Sequence, residues 1–300
     1  MFNGLNLVGV GRCLMCLVAT VAVAGAGGCK SPMRPKNATG QPTSILGALS
    51  PPTPQEAAAW AVDPYDADKR YRGTLLLVNA PWGGEPVYVD LYARAIEDED
   101  PSVKAAGARG LALHGGPEHV PLIVKHLADP DRLLRWECAR ALQRLHNPVA
   151  APDLIKRLES KTEDEAMVRA ASADALGQYA EPKVVDGLIA ALADRDLTVH
   201  QAARRSLRTL TGQDLGADLR AWVTWKKQSP DLFAARQPYV YPVFERDKTW
   251  VEVLVPIFQP PNEKSSTPVG FDMTASAGAA PAEPPAPTEP AQDAAPSRNN

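Results

Sequence analysis

Aromatic side chains are scarce in this 300-residue chain, at 6%, and so is any excess of charge: 32 basic against 35 acidic side chains leave a net −3. The stretch 69–228 is balanced too, with 23 basic and 22 acidic residues. That excludes the strongly basic groove with which a helical repeat protein grips nucleic acid, so no nucleic-acid partner is expected. No long apolar run offers a membrane span: residues 13–26 form an apolar run of 14, short of the roughly 20 that cross a bilayer. Cysteine is sparse, with only Cys13, Cys16, Cys29 and Cys138. Catalytic patterns are missing as well. His114, His119, His126, His146 and His200 show no HExxH or Cys/His spacing, and Gly-x-Ser-x-Gly and phosphate-loop motifs are absent. No metal or cofactor is expected, and the chain reads as a non-enzyme.

Proline is plentiful and uneven. Of 29, six fall in residues 30–54, ten in the last 45 and only nine in residues 69–228. A proline-spared middle between proline-rich ends reads as one folded block flanked by flexible segments.

Arg12, the apolar run and the small residues Ala26-Gly27-Gly28 before Cys29 have the order of an export signal. Together they resemble the lipobox of bacterial lipoproteins. The resemblance implies cleavage before Cys29, acylation of its thiol and new amino terminus, and attachment by two or three chains, where one would be marginal. It implies a lipid-anchored protein of the bacterial cell envelope, by default in the outer membrane facing the periplasm. Cys138 then stays alone, without a disulfide framework. Residues 29–68 read as a flexible tether after a signal of residues 1–28, with a root-mean-square reach of roughly 35 Å.

Residues 69–228 repeat. Leu111, Leu142, Leu176 and Leu207 are spaced by 31, 34 and 31 residues. The same offsets relate Pro86, Pro117, Pro148 and Pro182; Ile96, Leu127, Leu158 and Leu192; and the small set Gly107, Cys138, Ser172 and Ala203. Each unit predicts two helices, the second opening near a proline and carrying an apolar stripe such as Leu154 and Leu158. Neither helix can bury its stripe alone, so the units must stack. The fold class is all-α, an α-solenoid of about five helix pairs.

The run Val168-Arg169-Ala170-Ala171 into Asp174-Ala175-Leu176-Gly177, with the helix from Val184, resembles the short HEAT-like repeat of phycobilin lyases. That implies a scaffold fold and says little of function. Trp222 and Trp225 after Leu210-Thr211-Gly212 resemble the closing cap of bacterial HEAT-like lipoproteins.

Two columns of cations stand out. Lys104, Arg135, Arg169 and His200 each follow an acidic loop by one turn, and the resemblance implies a structural ladder between units. Arg94, Lys125 and Lys156, joined by His126 and Arg157, lie off the apolar stripe of three second helices. A row for an anionic protein partner and a merely solvated face both remain open there. The function expected is a membrane-anchored protein-binding scaffold in the envelope. The alternative is an envelope enzyme, or an accessory subunit of one, acting through the loops at residues 82–84 and 114–119. Residues 229–258, rich in Val, Tyr, Phe and Trp, read as an extended arm along the last repeats. Residues 259–300 read as a disordered Pro/Ala-rich tail.

Overall fold

The computed structural model describes residues 52–243 and 264–272. Among them are eleven α-helices: α1 (Pro54–Ala61), α2 (Ala67–Val78), α3 (Pro86–Ala95), α4 (Pro101–His114), α5 (Val120–Lys125), α6 (Arg132–Arg144), α7 (Ala151–Leu158), α8 (Ala166–Leu176), α9 (Pro182–Ala191), α10 (Leu197–Thr211) and α11 (Leu219–Gln228). From α2 on they form five pairs, α2/α3 to α10/α11, and each first helix packs on the first helix of the next pair. The chain is an all-α stack of HEAT-like repeats.

Local chemistry sets the helix starts. The side chains of Asp66, Asp100, Asp131, Asp196 and Asp218 accept from backbone N–H groups of the first turns of α2, α4, α6, α10 and α11. Each cap satisfies a donor the helix cannot. Pro86 and Pro182 open α3 and α9, where a missing N–H costs nothing. In the second and third pairs the second helix is short. Short 3₁₀ turns at Pro117–His119 and Pro148–Ala150 precede α5 and α7, which have six and eight residues. Pro121 and Pro152 sit second in these helices, so the N–H that would tie them to the preceding turn is lacking.

The column of small residues is where first helices meet their neighbours. A Cβ on Gly107 would stand 2.5 Å from the Ile96 nitrogen and 2.8 Å from the Ala95 carbonyl carbon, so α3 and α4 touch backbone to backbone. Cys138, Ser172 and Ala203 are wholly buried at the equivalent places. Buried Leu77, Leu111, Leu142, Leu176 and Leu207 run through one continuous core that ends at Trp222, also wholly buried, its indole N–H donating to Gly216 O.

Two boundaries differ from those expected. Residues 54–61, assigned to the tether, form α1, and its backbone lies so close to Gly73 that a Cβ there would be 2.3 Å from the Ala61 nitrogen. An Ala-rich segment suffices for such an approach even without an apolar stripe. Over its described part, 229–243, the arm has no regular secondary structure. It crosses the last repeats irregularly, with Tyr239 buried against Gly177; the remainder, 244–258, lies outside the described residues. Residues 264–272 fall in the stretch expected to be disordered, yet they are seated on the repeats through main-chain bonds to Arg144 and His146.

Candidate binding surface

The ladder column is built as a division of labour between paired acids. In three of the four inter-unit loops the second acid caps its own helix, as Asp100, Asp131 and Asp196 do, whereas Glu165 makes no such bond and meets Arg132. The first acid faces the cation of the preceding first helix. Arg70 forks onto Asp98 (2.8 and 2.9 Å), Lys104 reaches Asp129 (3.0 Å), Arg135 forks onto Glu163 (2.8 and 2.7 Å) and Arg169 onto Asp194 (2.8 and 3.0 Å). Each arginine turns its remaining nitrogen to carbonyls of the loop before its own helix: Arg135 to Asp129 O and Pro130 O, Arg169 to Glu163 O and Asp164 O. One guanidinium thus ties three successive segments. Burial opposes ionisation of Asp98 and Asp194, but the Arg70 and Arg169 bonds and backbone N–H groups outweigh it, leaving both carboxyls below the usual range.

Sequence spacing pairs each cation with the acids just before it; the structure pairs it with the acid 25 to 28 residues on. Arg70 was missed because the first unit is offset by 34 rather than 31, with three extra residues between Leu77 and Pro86. His200 ends the column. It has no following acidic loop, and its buried Nδ1 makes no hydrogen bond.

The five residues of the second column separate into two groups. Arg94, Lys125 and Lys156 are exposed on α3, α5 and α7; Lys156 meets only Asp153 on its own helix, also solvent-accessible. His126 and Arg157 turn toward the ladder instead. His126 lies between Glu97 (3.7 Å) and Asp129 (3.9 Å), and Arg157 donates to Thr162 O and approaches Glu163. Both end a short second helix, where the chain bends toward the acidic loop, so helical spacing does not predict their direction. The row stops at α9. There Gly187, Ala190 and Ala191 leave a hollow of about 370 Å³ against Ile155 and Leu158, followed by one of about 470 Å³ toward Val223.

The loops at 82–84 and 114–119 do meet. His114 Nε2 lies 2.8 Å from Val78 O, its ring stacks on Tyr92, and the Tyr92 hydroxyl donates to Gly83 O. His119 Nδ1 accepts from Gly116 N–H. Their polar atoms are engaged with backbone. Among the described residues no cluster of three or more His, Cys, Asp or Glu is placed to hold a metal ion. Cys138 is buried, which pushes its thiol well up from the ordinary range. Cys29 lies outside the described residues.

The class of protein follows from this geometry: a helical repeat stack with ladder-joined units. Comparisons with known proteins agree. The HEAT repeats family matches residues 89–166, and the PBS lyase HEAT-like repeat matches residues 168–194. Among curated proteins the chain is similar to deoxyhypusine hydroxylase of Gallus gallus, 32% identical over 32% of this chain and 32% of that one. It is also similar to deoxyhypusine hydroxylase of Rattus norvegicus, 29% identical over 44% and 38%. The chain thus spans about a third of the length of these relatives. Solved structures of similar fold include an engineered protein (TM-score 0.41, 18% identity, 51% of this chain and 77% of that one). Another is the complex of phycocyanin lyase from Nostoc sp. (0.37, 24%, 53% and 77%).

The expectation of a non-enzyme is corrected here, because the curated relatives bear the name of an enzyme.

Proposed function

We propose that this chain is a protein-binding scaffold, held at a bacterial membrane by lipid on Cys29, that offers the Arg94, Lys125 and Lys156 row to an anionic protein partner. One observation carries the reading. The ladder cations are paired between units in every junction, whereas these three project from successive second helices into solvent, Lys156 meeting only Asp153 of its own helix. A row of like charge raises the local concentration of an anionic partner and speeds its encounter. The match to HEAT repeats supports the scaffold part of the reading; the small residues before Cys29 support the anchor.

Cross-linking and affinity capture from native membranes, wild type against Arg94→Glu, Lys125→Glu and Lys156→Glu combined, tests the row. A protein lost specifically from the mutant is the expected result, and an unchanged catch overturns it. Fractionation of Cys29→Ala tests the anchor, with release into the soluble fraction expected.

The names of the relatives favour a second reading, an enzyme acting on a protein side chain. Incubation of the purified chain with deoxyhypusine-bearing substrate, dioxygen and a two-electron donor, read by mass spectrometry for one added oxygen, tests it, the second oxygen atom leaving as water.

A further inference from the structure

Residues 264–272 meet the repeats where α6 ends. Val269 N–H donates to Arg144 O (2.8 Å) and His146 N–H donates to Val269 O (2.9 Å), and Leu145 pairs with Val269 as in a parallel sheet. Leu145 is already extended, so its helix no longer claims these groups.

The segment then turns, with Phe271 N–H donating to Pro268 O (3.1 Å). Gly270 has φ +82°, and a Cβ on it would stand 2.5 Å from Pro117 Cγ. Only glycine suits both the dihedral and the space. Beyond the turn, the Phe271 ring meets His146 edge-on at 5.4 Å and lies 5.2 Å beneath the Arg236 guanidinium. The floor is held from below: His146 Nδ1 lies 2.9 Å from Gln178 Oε1, and Arg236 donates to Gln178 O.

This arrangement reads a bound chain in three ways: an extended main chain, a glycine in the left-handed region, and an aromatic ring. It is strand addition, in which main-chain bonds give affinity and pockets give specificity. The seated segment is held at few points: Pro268 is buried and Tyr241 N–H donates to Ser266 O, whereas Val269, at 54%, and the side chains of residues 264–267 are exposed. Segments with so few buried apolar contacts open at low free-energy cost.

We propose that this groove is a binding site for an extended peptide carrying a Pro-x-Gly-aromatic turn, and that residues 264–272 occupy it as a built-in competitor displaced by a partner bearing the same turn. A tethered competitor has an effective concentration of the order of millimolar, so such a partner gains from a second contact. The row at Arg94 supplies one. To that extent the inference rests on the scaffold reading, but its experiment addresses the groove alone.

The full-length chain is compared with two full-length variants, Gly270→Val, which meets Pro117 and the unfavourable dihedral, and Val269→Pro, which removes the N–H to Arg144. The probe is a fluorescent synthetic peptide of residues 264–272, followed by anisotropy. Saturable binding to both variants is expected. Binding to wild type should be at least about ten-fold weaker, since apparent affinity falls with the fraction of open sites. A peptide with Gly270→Val should not bind. Equal binding to wild type and variants, or none to variants whose His146 amide exchanges freely, overturns the proposal. So does a His146 amide that stays protected in both, because Gly270 and Val269 would then not seat the segment. Failure here leaves the Arg94 row standing, and charge reversal of that row leaves peptide capture unchanged.

Discussion

Glu163 is the most deeply placed carboxylate of the ladder. Its side chain is wholly buried and accepts both arms of the Arg135 fork, whose own side chain is 11% exposed. Removing one partner of a buried pair leaves the other uncompensated, so Glu163→Ala should cost about 3–5 kcal/mol in chemical denaturation. Arg132→Ala breaks a pair that is 76% and 35% exposed and should cost under about 1 kcal/mol. Similar losses for the two would refute the ladder's role. His146 predicts a pH dependence at the same scale. Burial lowers its affinity for a proton from the ordinary value of 6.5, the Gln178 bond opposes this and the Arg236 charge adds to it. Facing groups are Gln178, Tyr179, Phe271 and Arg236. Below 6.5 the unfolded chain takes up a proton that the folded chain resists, so stability is full above that value and falls as acid is added through the lowered folded value. Thermal melts between about pH 7.5 and about pH 5.5 should show this loss in wild type and a smaller one in His146→Asn.

Where helices cross, the decisive quantity is the distance between backbones. Gly73 and Gly107 allow contacts that a methyl group would bring to 2.3 and 2.5 Å of a neighbouring main-chain nitrogen. Backbone cannot rotate aside as a side chain can, so Gly107→Ala should destabilise by at least about 1–3 kcal/mol. Gly187 is a contrasting case. A Cβ there meets Ile155 at 3.6 Å, an ordinary contact, and Gly187→Ala should gain up to about 1 kcal/mol from helix propensity. Thermal melts of the two variants should move in opposite directions. Periodicity made Gly107, Cys138, Ser172 and Ala203 readable as one column, because a stacked repeat imposes the same approach at each junction. Gly73 and Arg70 belong to that pattern and escaped it, since three extra residues before Pro86 shift the register of the first unit. The directions of His126 and Arg157 were hidden for another reason: 3₁₀ turns and short helices break the 3.6-residue rule on which a face is read.

Across the molecule, coupling between neighbouring units decides whether the stack unfolds as one. The junction between the α6/α7 and α8/α9 pairs carries the Arg135–Glu163 fork, Gln143 donating to Ala171 O and Gln178 donating to Leu142 O. Residues 268–271 cross the same region, resting on Pro117 from the pair before, on His146 at the junction and on Arg236, which is bonded to Gln178 beyond it. Composition hid this strap, because it is held by main-chain bonds, one glycine and one ring rather than by an apolar stripe. A strap that touches two units and, through Arg236 of the arm, reaches a third is a coupling separate from the ladder that joins adjacent ones. Glu163→Ala or Val269→Pro alone should therefore keep a single denaturant transition with a lowered midpoint. Combined, they leave the junction to its apolar contacts, the Gln143, Gln178 and His146 side-chain bonds and the exposed Arg132–Glu165 pair, and the halves on either side should part. Two transitions, or one of reduced steepness, are then expected by circular dichroism. A single transition as steep as that of wild type would place the coupling in the apolar core alone.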